Sequence, residues 1–392
     1  MSSRWQDAYV RLQDFIKAKP SITISTLVLA IPGDVRTEFY RLFDAVRLAF
    51  VEEKFPAVLE EAAILGQNYT RAEQEVKELL KLDSIVALDF LNRFLHEPKS
   101  ELIRELFNPL FELLRGTIDS ATFEQQGLKG IQTTFERSHR LGYAKWVALS
   151  LVKMLESDKL FTITPPESKL DGHNEPLLCE VDVPSPQESK IMSFEHGPDN
   201  FPPFITPHFI VHSAKLNRYV SFRTELVTPA EYIALNYVDQ REWYPTESLK
   251  KEYKAAMSDP SLLIYIGDGL DELALIADKD RMCRPDMIVE YRELRDWDDK
   301  DIPARTKLYD VLNPKLGRYI VSREPVPVQV SQEAPAEPAA PVAQQLPVEQ
   351  ATETEKGNAI HRLMIGFEQS KLEPIMETMV NYNSLELEKM KN

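Results

Sequence analysis

The first 157 residues have the hydrophobic pattern of α-helices, because apolar side chains recur at spacings of three and four. The two clearest helical faces are formed by Phe39, Leu42, Phe43, Val46 and Phe50, and by Leu102, Ile103, Leu106, Leu110 and Leu113. Breaks are expected at Pro32-Gly33, Pro56, Gly66, Pro98, Gly116 and Gly127, although Pro56 and Pro109 also suit a kink or the first turn of a helix. We therefore predict that residues 1–157 form an all-α domain of about six helices or more.

Within this region, residues 22–31 (ITISTLVLAI) are the longest run in which apolar side chains dominate. The run has ten residues, three of them with hydroxyl groups, and is about half the length that spans a bilayer. It is predicted to be buried in a protein core, and no membrane contact is expected.

A second region, 158–324, is predicted to be an α+β domain with a small mixed sheet. Proline becomes frequent at its start, with eleven prolines over 158–250 against five in the first 157 residues. Aromatic and β-branched residues predict strands over 207–213 and 217–226, joined by a turn at Lys215-Leu216-Asn217.

The most regular pattern of this second region lies between residues 246 and 322. It predicts a helix over 246–257, strands over 262–266, 270–278 and 286–291, a turn at Gly267-Asp268-Gly269, a short helix from Asp301 to Leu312, and a strand over 317–322. The order is helix, three strands, helix, strand.

Residues 325–356 have the composition of an extended linker. They contain six prolines and neither an aromatic residue nor a glycine, so they lack the apolar area that a folded core needs. This linker tethers the last segment, 357–392.

The segment 357–392 is predicted to be an amphipathic helical tail. Its apolar positions recur at helical spacing, and they are Ile360, Leu363, Met364, Phe367, Leu372, Ile375, Met376 and Met379, with Pro374 expected to end or kink the first helix. Methionine side chains adapt to irregular grooves, so Ile360, Leu363, Met364, Phe367, Met376 and Met379 are candidate partner-binding residues. Two alternatives stay open: the tail binds another protein or a second copy of the chain, or it folds back on its own body.

Charge and cysteine content narrow the classes of function. The formal net charge is −16, and a surface of that sign repels phosphate backbones, which argues against non-specific nucleic-acid binding without excluding a local basic cleft. Only Cys179 and Cys283 are present and the chain begins without an apolar leader, so we expect a cytoplasmic protein without a disulfide framework.

The order of elements in 246–322 resembles the core of the restriction-endonuclease-like PD-(D/E)xK superfamily, whose minimal unit is helix, three strands, helix, strand. The resemblance covers about a fifth of the chain. It implies a Mg²⁺ site with Glu290 of Glu290-Tyr291-Arg292 and either Asp278 or Asp271 as ligands. The family's lysine is replaced by Arg292, so Lys307 on the following helix is the candidate for the lysine that positions water.

The neighbouring acids Asp286 and Glu290 do not form a metal pair by themselves. Four residues along a strand separate them by about 13 Å, whereas Mg²⁺ holds its ligands at about 2.1 Å. The alternative interpretation of 283–293 is an interior strand, Met287-Ile288-Val289, with charges where it leaves the core.

The sequence therefore favours a non-catalytic cytoplasmic interaction or scaffold protein that acts through its helical domain and its tethered tail. The alternative is a metal-dependent nuclease of the restriction-endonuclease-like class, or an inactive relative. A cofactor, Mg²⁺, is expected only under the alternative.

Overall fold

The computed structural model describes residues 3–25, 28–164, 185–194, 207–225, 243–245, 260–274, 281–292, 312–323, 353–355 and 358–391. The chain divides into two compact units, the first made of Met1–Gln74 and Ala87–Trp146, the second of Glu75–Val86 and Val147–Asn392. It is a multidomain α+β protein with a helical N-terminal region, a mixed sheet in its middle part and a C-terminal helix.

The N-terminal region is built from seven described helices. These are α1 (Arg4–Ala18), α2 (Gly33–Lys54), α3 (Pro56–Leu80), α4 (Asp89–His96), α5 (Pro98–Leu102), α6 (Phe107–Arg115) and α7 (Ser120–Met154), with a 3-10 turn at Ile103–Leu106. The predicted apolar face of α2 is confirmed, since Phe39, Phe43, Val46 and Phe50 are fully buried. The first unit therefore has a core rich in aromatic side chains.

Proline and glycine mark some helix ends of this region but not others. Pro56 begins α3, and Gly116 ends α6 in the left-handed conformation (φ 72°). The breaks predicted at Gly66 and Gly127 are wrong, because both residues lie inside helices. Their lack of a side chain serves packing: a Cβ at Gly66 would lie 2.6 Å from the backbone oxygen of Leu95.

The prediction that residues 22–31 are buried holds for Ile22 but is wrong for most of the other residues whose burial the structure describes. Their described part is a short antiparallel pair, β1 (Thr23–Ile24) and β2 (Leu29–Ala30), and Val28 between them is 49% exposed. The backbone groups of the two short strands pair with each other within this hairpin.

The second unit contains a mixed sheet that has nine strands in the described residues. The strands are β4 (Ser157–Thr164), β5 (Ser185–Glu188), β7 (Phe209–Ser213), β8 (Arg218–Glu225), β10 (Pro260–Gly267), β12 (Met287–Arg292), β13 (Arg318–Ser322), β14 (Glu353–Glu355) and β15 (Asn358–Met364). Their order in the sheet is β14-β15-β13-β12-β10-β8-β7-β4-β5. Two smaller pairs join β3 (Ser84–Val86) to β6 (Ile191–Ser193) and β9 (Trp243–Pro245) to β11 (Arg281–Cys283).

From β8 to β15, the pairing of neighbouring strands in the large sheet changes once, from antiparallel to parallel, and the change comes at β12. β8, β10 and β12 are successively antiparallel, whereas β13 is parallel to β12 and β15 is parallel to β13. A parallel neighbour requires a crossover connection. Of the predicted connecting helix over 301–312, only its last residue, Leu312, lies within the described residues, and it is helical.

Five of the predicted strands are confirmed, and one is not. β7, β8, β12 and β13 match the predictions to within two residues, as does β10. The strand predicted over 270–278 is wrong where the structure describes it, because Asp271–Leu273 is a 3-10 turn directly after β10. The helix predicted over 246–257 and most of the linker at 325–356 lie outside the described residues. The described part of that linker, Glu353–Glu355, is strand β14.

The C-terminal segment is a strand followed by a helix, and not a helix throughout. Asn358–Met364 forms β15 and Glu373–Lys391 forms helix α8. Ile360, Leu363 and Met364 have helical spacing, but the edge of β13 offers their backbone a hydrogen-bonded ladder, and Gly366 (φ 53°) follows the strand. Pairing between strands thus overrides the local periodicity.

Candidate functional site

Of the residues quoted for the nuclease resemblance, Glu290 and Arg292 lie on β12, and Asp271 lies in the 3-10 turn that follows β10. Met287, Ile288 and Val289 are fully buried, which confirms the interior strand. The expectation that the charges sit where the strand leaves the core is wrong, since Asp286 is 3% exposed and Glu290 is 0% exposed. Both carboxylates therefore need partners inside the protein.

Glu290 is bonded to Arg318 of β13. The Nε of Arg318 donates to Oε2 of Glu290 at 3.0 Å, and its Nη2 also bonds that oxygen, while Arg318 is itself 3% exposed. The register explains the contact: Arg318 lies opposite Ile288, two residues before Glu290, and residues two apart on a strand share a face. A buried ion pair thus joins the two parallel strands at their centre.

Asp286 forms a second buried ionic contact at the other end of β12. Its Oδ2 accepts the backbone N–H of Ile266 at 2.7 Å, and its Oδ1 lies 3.0 Å from Nζ of Lys315. Burial raises the pKa of Asp286, an effect that the positive charge of Lys315 and the Ile266 hydrogen bond oppose in part. This carboxylate ties the end of β10 to the turn that precedes β13.

Lys315 is the exposed partner of that contact. Its side chain is 36% exposed, and burial acts to lower its pKa, but the charge and hydrogen bond of Asp286 outweigh this and raise the pKa of Lys315. The backbone strengthens the same junction, because Leu316 donates its N–H to the carbonyl oxygen of Asp286 at 2.7 Å. These contacts connect the last turn of β10 to the residues that directly precede β12 and β13.

The residues predicted to hold Mg²⁺ are not brought together in the part of the chain that the structure describes. Asp271 is exposed on a 3-10 turn, and Asp278 and Lys307 lie outside the described residues. Glu290 faces Arg318 in the sheet interior. Over the described ranges, no group of three or more His, Cys, Asp and Glu side chains could hold an ion.

The candidate partner-binding residues of the tail fall into two groups. Met364 is 46% exposed on β15, and Ile360, Leu363 and Phe367 are half-buried. Met376 and Met379 are 0% exposed on α8, buried within the second unit, so they present no surface to another protein in this arrangement. Binding of a protein partner through the tail stays a prediction.

Sequence reasoning missed Arg318 and Lys315, the two cations that neutralise the acids of β12. The available signal was an arginine inside a predicted strand, directly before Tyr319-Ile320-Val321. A charge at such a position needs a buried partner. The pattern indicates that a partner exists, but it does not say which acid it is.

The described part of the chain contains no helix long and apolar enough to cross a membrane.

Comparisons with family models, with curated proteins and with solved structures gave no match. Function must therefore be argued from the geometry alone.

Proposed function

We propose that this chain is a non-catalytic interaction or scaffold protein of the cytoplasm. The observation that carries the proposal is the buried pair of Glu290 and Arg318. A nuclease of the resembling class needs Glu290 in an open cleft as a metal ligand. Here its carboxylate is 0% exposed and its charge is balanced by a guanidinium, an arrangement that supports the sheet and not hydrolysis.

The second candidate is an inactive relative of the nuclease class. It is favoured by the directions of the central strands, since β8, β10 and β12 are antiparallel and β13 follows parallel to β12. The core of the nuclease class has the same order: three strands, a crossover connection and a fourth strand. In this alignment the three strands begin at β8, one strand earlier than the sequence pattern indicated.

A surface suited to a protein partner supports the lead proposal. Phe107, at the start of α6, is 39% exposed and packs against Phe43 and Phe111 with ring centroids 5.5 and 5.1 Å apart. The guanidinium of Arg47 lies 5.4 Å from the Phe107 ring centroid, and Arg47 also donates to the carbonyl of Ile103. Aromatic residues and arginine are enriched at protein interfaces.

A cleavage assay tests the absence of catalysis. Single- and double-stranded DNA and RNA are incubated with the full chain and Mg²⁺, alongside Glu290→Gln and Asp271→Asn. We expect no cleavage above buffer in any of the three. Mg²⁺-dependent cleavage by the wild type that is lost in Glu290→Gln would overturn the proposal, and loss in folded Asp271→Asn would do the same if Glu290→Gln did not fold.

A binding assay tests the aromatic surface. Phe107→Ser is compared with Leu128→Ser, which is an ideal control because Leu128 is also 39% exposed and lies in the same unit. Cross-linking capture of protein partners by the full chain should be lost in Phe107→Ser and kept in Leu128→Ser, with similar melting temperatures. Equal capture by both variants, or none by the wild type, would contradict this role for Phe107.

A further inference from the structure

A short segment, Gly267-Asp268-Gly269, joins β10 to the 3-10 turn at Asp271–Leu273. It is held at both ends, because the backbone of Gly267 pairs with β8 and Leu273 is buried, with 2% exposed. Between these fixed points the side chain of Asp268 is 61% exposed. A reaction at Asp268 therefore changes a connection whose two ends are part of the folded structure.

The residue after Asp268 is Gly269, and an aspartate before a glycine isomerises more readily than one before a larger residue, because glycine has no side chain to obstruct ring closure. The backbone nitrogen of Gly269 forms a bond to Cγ of Asp268 and loses its proton, and one carboxyl oxygen leaves as water with that proton and one from the solvent. A solvent water then adds to the main-chain carbonyl carbon of Asp268 in the succinimide ring and breaks that carbon's bond to nitrogen. The main chain now runs through Cγ, and the residue is isoaspartate.

The guanidinium of Arg218, at the start of β8, contacts both carboxylate oxygens of Asp268. Its Nε lies 2.7 Å from Oδ1, and its Nη2 donates to Oδ2 at 3.1 Å. The side chain of Arg218 is only 12% exposed, so the surrounding protein limits its movement. A two-point contact of this kind fixes the orientation of a carboxylate as well as its distance. Ring closure requires Cγ of Asp268 to come within bonding distance of the nitrogen of Gly269, and the contact with Arg218 opposes that rotation.

We propose that Asp268 is a site of spontaneous isomerisation to isoaspartate and that its contact with Arg218 slows the reaction. The modification inserts one carbon atom into the main chain directly after β10, and it removes the carboxylate from the position that Arg218 contacts. The longer main chain displaces the 3-10 turn and with it the buried side chain of Leu273. This inference stands independently of the proposed function.

Incubation of the full chain in water enriched in oxygen-18 tests the proposal, because opening of the ring adds a heavy oxygen to the peptide that contains Asp268. Arg218→Gln is compared with the wild type and with Lys215→Gln. The second variant is the control, since it removes the same charge from the turn before β8, where Lys215 lies 4.0 Å from Glu373. The rate of labelling at Asp268, measured by mass spectrometry of the digested protein, should rise about two- to fivefold in Arg218→Gln, the range that an exposed ion pair supports. It should stay at the wild-type value in Lys215→Gln.

The chain supplies its own reference for this measurement. Asp171-Gly172, which lies outside the described residues, is the other aspartate–glycine pair of the sequence, and it falls in a different tryptic peptide from Asp268. Its labelling rate should be the same in the three proteins. Equal rates at Asp268 in all three, or no label at Asp268 in any of them when Asp171 is labelled, would overturn the proposal.

A change in salt concentration keeps the restraint testable if Arg218→Gln does not fold. The ion pair is partly exposed, so raising the salt concentration from about 0.1 M to about 1 M shortens the screening length from about 10 Å to about 3 Å and weakens the pair. In the wild type, the rate of labelling at Asp268 divided by the rate at Asp171 should therefore increase. A ratio that is unchanged or lower at high salt would show that Arg218 does not restrain Asp268.

Discussion

The hydroxyl oxygen of Tyr319, on β13, lies 2.6 Å from the hydroxyl oxygen of Thr378, on α8. Thr378 also donates to the carbonyl of Pro374 at 3.0 Å, so in this geometry it accepts a hydrogen bond from Tyr319. Burial raises the pKa of Tyr319, which keeps its hydroxyl protonated and able to donate. The contact joins the central sheet to a helix that follows it by more than fifty residues.

Loss of this hydrogen bond should weaken the second unit. Tyr319→Phe and Thr378→Val are each expected to lower the free energy of unfolding by about 0.5–1.5 kcal/mol, because each removes the hydrogen bond between the two hydroxyls. The double variant should lose less than the sum of the two, since both substitutions remove the same contact. Urea denaturation of the four proteins measures this cycle, and strictly additive losses would show that the contact contributes nothing.

Substitution of either member of the buried pair, Glu290 or Arg318, should lower the free energy of unfolding. Glu290→Leu or Arg318→Met leaves a buried charge without this ionic partner, which is expected to destabilise the protein by about 3–5 kcal/mol. Replacement of both removes the charge imbalance, so the double variant should lose clearly less than the two single losses combined. Chemical denaturation decides the matter: a double loss equal to or above that sum would contradict the pairing.

Two glycines inside helices should respond oppositely to alanine. At Gly66 a Cβ would lie 2.6 Å from the backbone oxygen of Leu95, whereas at Gly130 the nearest atom, on the Glu105 side chain, is 3.5 Å away. Gly66→Ala should destabilise by about 1–3 kcal/mol through overpacking, while Gly130→Ala should stabilise by up to about 1 kcal/mol through helix propensity. Thermal melts of both variants test this contrast, and a stabilised Gly66→Ala would refute the close approach.

His361 should make docking of the tail sensitive to mild acid. Its ring stacks on Tyr319 with centroids 4.7 Å apart, and burial lowers the pKa of His361 below 6.5. A lowered pKa in the folded state means that the stabilising contribution is complete above pH 6.5 and is lost as pH falls through the folded value. The difference in stability between wild type and His361→Gln should therefore shrink between pH 7.5 and pH 5. A difference that grew on acidification would reverse the assigned sign.

Local sequence patterns were sufficient to predict the buried face of α2 and some of the helix ends in the N-terminal region. The burial of Phe39, Phe43 and Phe50 followed from spacing alone, and Pro56 and Gly116 marked helix ends. Each backbone hydrogen bond of an α-helix joins residues four positions apart, so the residues that determine a helix lie close together in the sequence. Gly66 was misinterpreted because a glycine that ends a helix and a glycine that lets another backbone approach look the same in sequence.

The strands β7, β8, β10, β12 and β13 could also be recognised from sequence, but their neighbours could not. A strand's hydrogen bonds lie on another strand, at a distance along the chain that its own residues do not encode. For the same reason Ile360, Leu363 and Met364, which have the spacing of a helix, became a strand once β13 offered its edge.

The charged residues on and beside β12 also separate what the local sequence predicts from what depends on distant parts of the chain. The residue pattern was sufficient to predict an interior strand at 287–289 with acids on both sides of it. The pairing of Glu290 with Arg318, twenty-eight positions away, and of Asp286 with Lys315 depends on the fold of the whole sheet. The parallel register between β12 and β13 brings each cation to its acid, and a carboxylate buried at that depth is stable as a charge only beside such a partner.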